Sequence, residues 1–147
     1  MTTNAIETPG VPAMPGSGLT AGQAGSLVAL ATVVWFSAAM FIRYAGPTGL
    51  FHGLGAVVLY ALTVPATILV NRRALKLVRL PRRRMTTVIA VTTATATLLD
   101  GVAMSAFPEL YGPDPGIMGA GAVWLLWAIG VASALAALTT VRAARGD

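Results

Sequence analysis

The chain has 147 residues, of which 56% are hydrophobic and only 10% charged, with a mean hydropathy of +0.76. A soluble domain carries about 25% charged residues, so the deficit argues against a water-soluble core and for one membrane-embedded domain. The absence of cysteine excludes disulfides, thiol catalysis and cysteine-held metals, and the net charge of +5 is concentrated, seven of ten basic residues lying between Arg72 and Arg84.

Residues 1–22 hold Pro9, Pro12, Pro15, Gly10, Gly16 and Gly18 and no basic side chain. Such a segment buries too little apolar surface to offset its ordering entropy, so it is expected to be a disordered cytoplasmic lead-in. A signal peptide would open on basic residues, and here Glu7 is the only charge.

The first apolar run, about 23–42, has no charged residue and is long enough for one span. Trp35, Phe36, Phe41 and Tyr44 bunch toward its end, as aromatics do at a membrane interface. Arg43 follows, suited to snorkelling or to pairing with a buried acid. The turn residues of Ala45-Gly-Pro-Thr48 make the first two spans antiparallel neighbours. The second run, about 49–70, opens on a small-xxx-small pair, Gly49 and Gly53. His52, Ala56, Tyr60, Thr63 and Thr67 follow helical spacing and predict a polar stripe facing the bundle. Pro65 removes a backbone donor, which predicts a kink and a carbonyl for Thr63 to satisfy.

Arg72, Arg73, Lys76, Arg79, Arg82, Arg83 and Arg84 form a basic loop with no acidic residue. The positive-inside bias places it in the cytoplasm, and anionic lipids are its expected contact, not nucleic acid. The third run, about 85–107, carries Asp100, the one carboxylate well inside an apolar stretch. Glu109-Leu-Tyr-Gly-Pro-Asp-Pro115 follows as an acidic, proline-rich outer connector. The fourth run, about 116–140, carries Trp124 and Trp127 on one face and Gly130, Ala134 and Ala137 on a smooth second face suited to close packing. A short cytoplasmic tail, 141–147, adds Arg142 and Arg145. The expected fold is therefore an all-α, antiparallel, up-down four-helix transmembrane bundle. It would be a multi-pass protein of the cell's inner (plasma) membrane with both termini in the cytoplasm. Nine arginines against one lysine, with abundant Ala and Gly, point to a GC-rich bacterial source.

A carboxylate inside an apolar span is costly and wants a partner or a function. At about 1.5 Å per residue, Asp100 lies roughly 22 Å past Met85, in the outer half of a core about 30 Å thick. Arg43 and His52 flank the outer turn and are its candidate partners. Thr93 and Thr97 share its helix face, and Tyr60 lies on the polar stripe of the second span. Three readings compete for this group. It is a structural lock, a proton- or cation-binding carboxylate in a small transporter or channel with His52 as relay, or a contact for a lipid, a quinone or a partner subunit. With a single histidine, a metal site, a paired-histidine haem and a hydrolytic triad all lack ligands or bases, so no metal, cofactor or catalytic residue is assigned. The leading expectation is a non-enzymatic subunit or structural component of a larger membrane complex or homo-oligomer.

Leu98-Leu-Asp-Gly-Val-Ala-Met-Ser-Ala-Phe-Pro-Glu-Leu-Tyr-Gly112 and Ala122-Val-Trp-Leu-Leu-Trp-Ala-Ile-Gly130 carry a resemblance. In Leu99, Asp100, Phe107, Pro108, Tyr111, Trp124 and Trp127 the chain resembles an uncharacterised family of small four-span bacterial membrane proteins, a domain of unknown function. The resemblance implies the four-span fold and assigns no chemistry. Small multidrug exporters, by contrast, place an essential Glu in the first span, where this chain has none.

Overall fold

The computed structural model describes residues 18–146, apart from the side chain of Arg83. The expected N-terminal segment lies outside the described residues as far as residue 17. Four α-helices follow: α1 (Ala21–Ala45), α2 (Gly53–Val78), α3 (Met85–Ala106) and α4 (Pro115–Arg145). All four are long and apolar enough to cross a membrane, and no strand occurs among the described residues. This is the all-α four-helix bundle expected from the sequence.

The helix limits have local causes. A capping box starts α1: the Thr20 hydroxyl accepts from the Gln23 N–H, and the Gln23 side chain accepts from the Thr20 N–H. Gln23 also donates to the Val78 carbonyl at 3.0 Å, tying the start of α1 to the end of α2. Asp114 caps α4 by accepting from the Gly116 N–H, with Pro115 at the first helical position.

Two expectations about α2 are corrected. Gly49 and Gly53 do not line a helix contact. Both have positive φ, 78° and 54°; Gly49 ends the turn before the helix and Gly53 opens the helix itself. At its other end α2 runs on through the first basic residues to Val78 instead of stopping at Val70. Asn71, Ala74, Leu75 and Val78 fall on one buried face while Arg72, Arg73 and Lys76 point outward, so an amphipathic turn continues the span. At 26 residues, α2 is about 39 Å long, longer than the apolar core of a bilayer. The helix then closes in a Schellman arrangement, with Leu80 N–H on the Leu75 carbonyl, Arg79 N–H on that of Lys76, and Arg79 left-handed at φ 52°. Pro65 sits within α2, and Thr63 donates to the Leu59 carbonyl at 2.8 Å, not to the Ala61 carbonyl that Pro65 leaves free.

Packing order differs from chain order. α1 packs mainly on α3, α3 also on α4, and α4 on α2, whereas α1 and α2 touch much less despite their short connection. The antiparallel neighbours expected from that turn are therefore joined in sequence but not closely packed. The buried small residues of α4 are Gly121, Ala132 and Ala136; Gly130, Ala134 and Ala137, the face expected to pack, point outward. Gly121 lies against Ile42 of α1, where an added Cβ would stand 2.7 Å from the isoleucine side chain. Two cores result. An aliphatic one (Leu27, Leu75, Val78, Val88, Ile89, Ala132) lies at the arginine-rich end, and an aromatic one (Ile42, Phe51, Leu59, Ala103, Tyr111) at the Glu109 end.

Candidate functional site

Asp100 sits near the end of α3, and what surrounds it is set by how α3 stops. Pro108 opens a 3-10 turn, Pro108–Tyr111, that folds back beneath the helix. Gly112, at φ 119°, then turns the chain toward α4, a backbone position that favours glycine. The turn buries Tyr111 completely and brings its hydroxyl to Asp100. Both neutral donors converge on one carboxylate oxygen: Trp35 of α1 donates from Nε1 to Asp100 Oδ1 at 2.8 Å, and the Tyr111 hydroxyl donates to the same atom. The indole N–H also reaches the Tyr111 hydroxyl at 3.2 Å. One side chain of α3 thus fastens α1 and the connector. The other carboxylate oxygen, Oδ2, has no hydrogen-bond partner among the described residues. Burial first, then the hydrogen bond to Asp100 and its charge, push the Tyr111 phenol well above the usual tyrosine value, so it stays a donor.

The expected ionic partners lie elsewhere. Arg43 donates to the Glu109 backbone carbonyl, bracing the connector, and makes no ion pair with Asp100. It follows Trp35 by eight residues, about 12 Å along α1, and so lies beyond the level of the carboxylate. His52 is exposed at the N-cap of α2 and makes no side-chain capping bond. Thr97 is exposed, and Thr93 is half-buried and donates to the Ile89 carbonyl of its own helix at 2.7 Å. Thr92 and Thr95 likewise bond back to their own helix, and Thr86 shares a hydrogen bond with Thr140. Tyr60 stacks against Trp127, ring centroids 5.6 Å apart, and its carbonyl accepts from that indole. Trp124 donates to the Thr63 hydroxyl, so the two tryptophans of α4 stitch it to α2. Trp35 and Tyr111 are the partners that sequence reasoning missed. The available signal was that a Trp N–H or Tyr O–H inside an apolar setting itself needs an acceptor.

Asp100 also borders a cavity of about 370 Å³ lined by all four helices. Trp35, Phe41 and Trp124 surround its Asp100 end, Thr93 and Ala96 form one wall, and Asn71 and Ala74 lie toward the arginine-rich end. Its exposed lining residues, Val34, Leu62, Ala66 and Val70, all belong to α1 and α2. The cavity therefore opens sideways through the loosely packed α1–α2 face, where an embedded helix pair would meet lipid. Of the sequence-derived candidates, Asp100 and Thr93 share this cavity; Arg43, His52, Thr97 and Tyr60 do not line it.

Between Arg72 and Arg84, Arg72, Arg73, Lys76, Arg79 and Arg82 are all exposed, and the side chain of Arg83 lies outside the described residues. Arg72 and Arg82 line a second cavity, to which Arg142 of α4 also contributes.

No protein-family model matches the chain, and the searches of curated proteins and of solved structures returned no match either. Fold and site alone define the class: a helical bundle with four candidate membrane spans and a polar-headed lateral cavity.

Proposed function

We propose that this chain is a non-enzymatic, multi-pass protein of the inner (plasma) membrane that holds an apolar, membrane-dissolved ligand in the cavity beside Asp100. The supporting observation is the division of labour within one carboxylate. Oδ1 is held by Trp35 and Tyr111, while Oδ2 carries no hydrogen bond on a residue that borders an otherwise apolar chamber. Small-molecule sites have this character: apolar walls, a few fixed polar groups, and volumes of roughly 300–1,000 Å³. A ligand with one hydrogen-bond donor, such as a lipid hydroxyl or a quinol, suits it. Access through the α1–α2 face suits a molecule arriving from the bilayer and not from water. The structural and ligand readings of Asp100 thereby become compatible. His52 is exposed and does not line the cavity, so the proposal gives it no part.

Both termini are assigned to the cytoplasm from the arginines of the α2–α3 connection and the end of α4. The natural absence of cysteine makes this easy to test. An Arg145→Cys variant should resist a membrane-impermeant maleimide on intact cells and react after permeabilisation.

The cavity is tested by native mass spectrometry of protein released from mild detergent. Wild type should carry a bound lipid-phase molecule, and Ala96→Phe, which fills one wall, should lose it while keeping its helicity. A ligand-free wild type that Ala96→Phe stabilises would mark the cavity as a packing void and overturn the proposal.

A further inference from the structure

At the other end of the bundle, a second cavity of about 370 Å³ gathers Arg72 from α2, Arg82 from the α2–α3 connection and Arg142 from α4. Arg142 is distant from the other two in sequence. The three meet because the connection packs against α4 and α4 against α2. Three guanidinium groups around one cavity repel unless a negative charge joins them. Among the described residues the carboxylates are Asp100, Glu109 and Asp114, all near the far end of α3 or in the connector after it, and none lines this cavity. No described carboxylate supplies charge complementarity here, and planar, forked guanidinium groups suit a phosphate best.

The remaining lining locates that phosphate. Ile68, Leu75 and Leu135 give the cavity an apolar wall, so the site is charged on one side and oily on the other. Arg72 follows the last apolar residues of the expected second span, and Arg142 those of the fourth. The cavity thus straddles the level where helices leave hydrocarbon for water, where lipid phosphates lie. Asn71 adds a second observation. It lines this cavity, is only 5% exposed, and its amide nitrogen has no hydrogen-bond partner. An amide donor buried without an acceptor is destabilising, and an acceptor oxygen entering the cavity would relieve it.

We propose that Arg72, Arg82 and Arg142 form a binding site for the phosphate of an anionic lipid headgroup, with its acyl chain against Ile68, Leu75 and Leu135. Its arginines lie outside the lining of the chamber at Asp100, with Asn71 shared by the two cavities, and the site does not depend on that chamber holding a ligand. It also differs from a diffuse attraction of the whole basic connection, because Arg73 and Lys76 lie outside it.

The test uses full-length protein in an uncharged maltoside detergent, titrated with phosphatidylglycerol, phosphatidylcholine or inorganic phosphate, with binding read by native mass spectrometry and thermal shift. Phosphatidylglycerol should bind at a defined stoichiometry. Arg72→Gln with Arg142→Gln should weaken it about tenfold or more, while Arg73→Gln with Lys76→Gln, the same charge change outside the cavity, should alter it less than about twofold. Equal weakening by both pairs would mean diffuse charge attraction and overturn the proposal. Equal binding of inorganic phosphate, or of phosphatidylcholine, would overturn the assignment to an anionic lipid. Should the Arg72/Arg142 pair fail to fold, Arg82→Gln alone, in the connection, decides: it supports the site by weakening phosphatidylglycerol at least about threefold and overturns it by leaving affinity unchanged.

Discussion

The two ends of the bundle solve opposite problems. At the Glu109 end a carboxylate lies within an apolar helix, and neutral donors from α1 and the connector hold it, with Tyr111 buried outright. At the other end the positive charges stay outside an aliphatic core, with cross-helix polar ties such as Gln23 with Val78 and Thr86 with Thr140. A buried carboxylate left without donors is expensive, so its end is built around directional bonds. Arginines at an interface keep their hydration, so their end is shaped by apolar packing and leaves charge available for a partner.

The comparison breaks most readily at Asp100. Asp100→Ala leaves the Trp35 N–H and the Tyr111 O–H without their acceptor and should cost about 3 kcal/mol, while Arg72→Ala should change stability by less than about 0.5 kcal/mol. Thermal unfolding in detergent measures both, and equal losses would remove the distinction between the ends. The next effect is steric. Gly121→Ala presses on the fully buried Ile42 and should destabilise by about 2 kcal/mol, whereas Gly130→Ala, with open space around it on the same helix, should be neutral or slightly stabilising.

A double-mutant cycle then separates the two candidate partners of Asp100. Trp35→Phe with Asp100→Ala should show a coupling of about 1 kcal/mol, and Arg43→Ala with Asp100→Ala should be additive. Coupling to Arg43 instead would restore the ionic lock. A smaller signature is pH-dependent. Because the phenol of Tyr111 is raised in the folded state, its contribution is complete below the unfolded tyrosine value near 10 and is lost as pH rises from there toward the folded value. The melting temperature should therefore fall above pH 10 in wild type, and less so in Tyr111→Phe. The smallest effect belongs to the arginine end. Arg79→Gly relieves a left-handed non-glycine residue at the α2 cap and should stabilise by about 0.5 kcal/mol.

The fold was largely legible. Apolar runs separated by Gly-Pro, basic and Pro-rich connectors mark four spans, since length against bilayer thickness needs no tertiary information. Ends were less legible: the basic residues of α2 look like a loop, but helical spacing buries Ala74, Leu75 and Val78 beneath them. Asp100 stood out because charge in an apolar run is visible locally. Its partners did not, because a tryptophan and a tyrosine read as ordinary interface aromatics until the turn at Pro108 carries Tyr111 back beneath α3.

By itself, then, the sequence determined the helices, the acid that needed satisfying and the uneven charge, all properties of composition and local periodicity. Tertiary structure decided that α1 packs far more on α3 than on α2, which opens the lateral cavity. It decided that Asp100 is held by hydrogen bonds and not by an ion pair, and that Arg142 joins Arg72 and Arg82. The physical reason is common to all three. Helices in a membrane are equally apolar toward lipid and toward one another, so shape and polar satisfaction, not hydrophobicity, choose their neighbours.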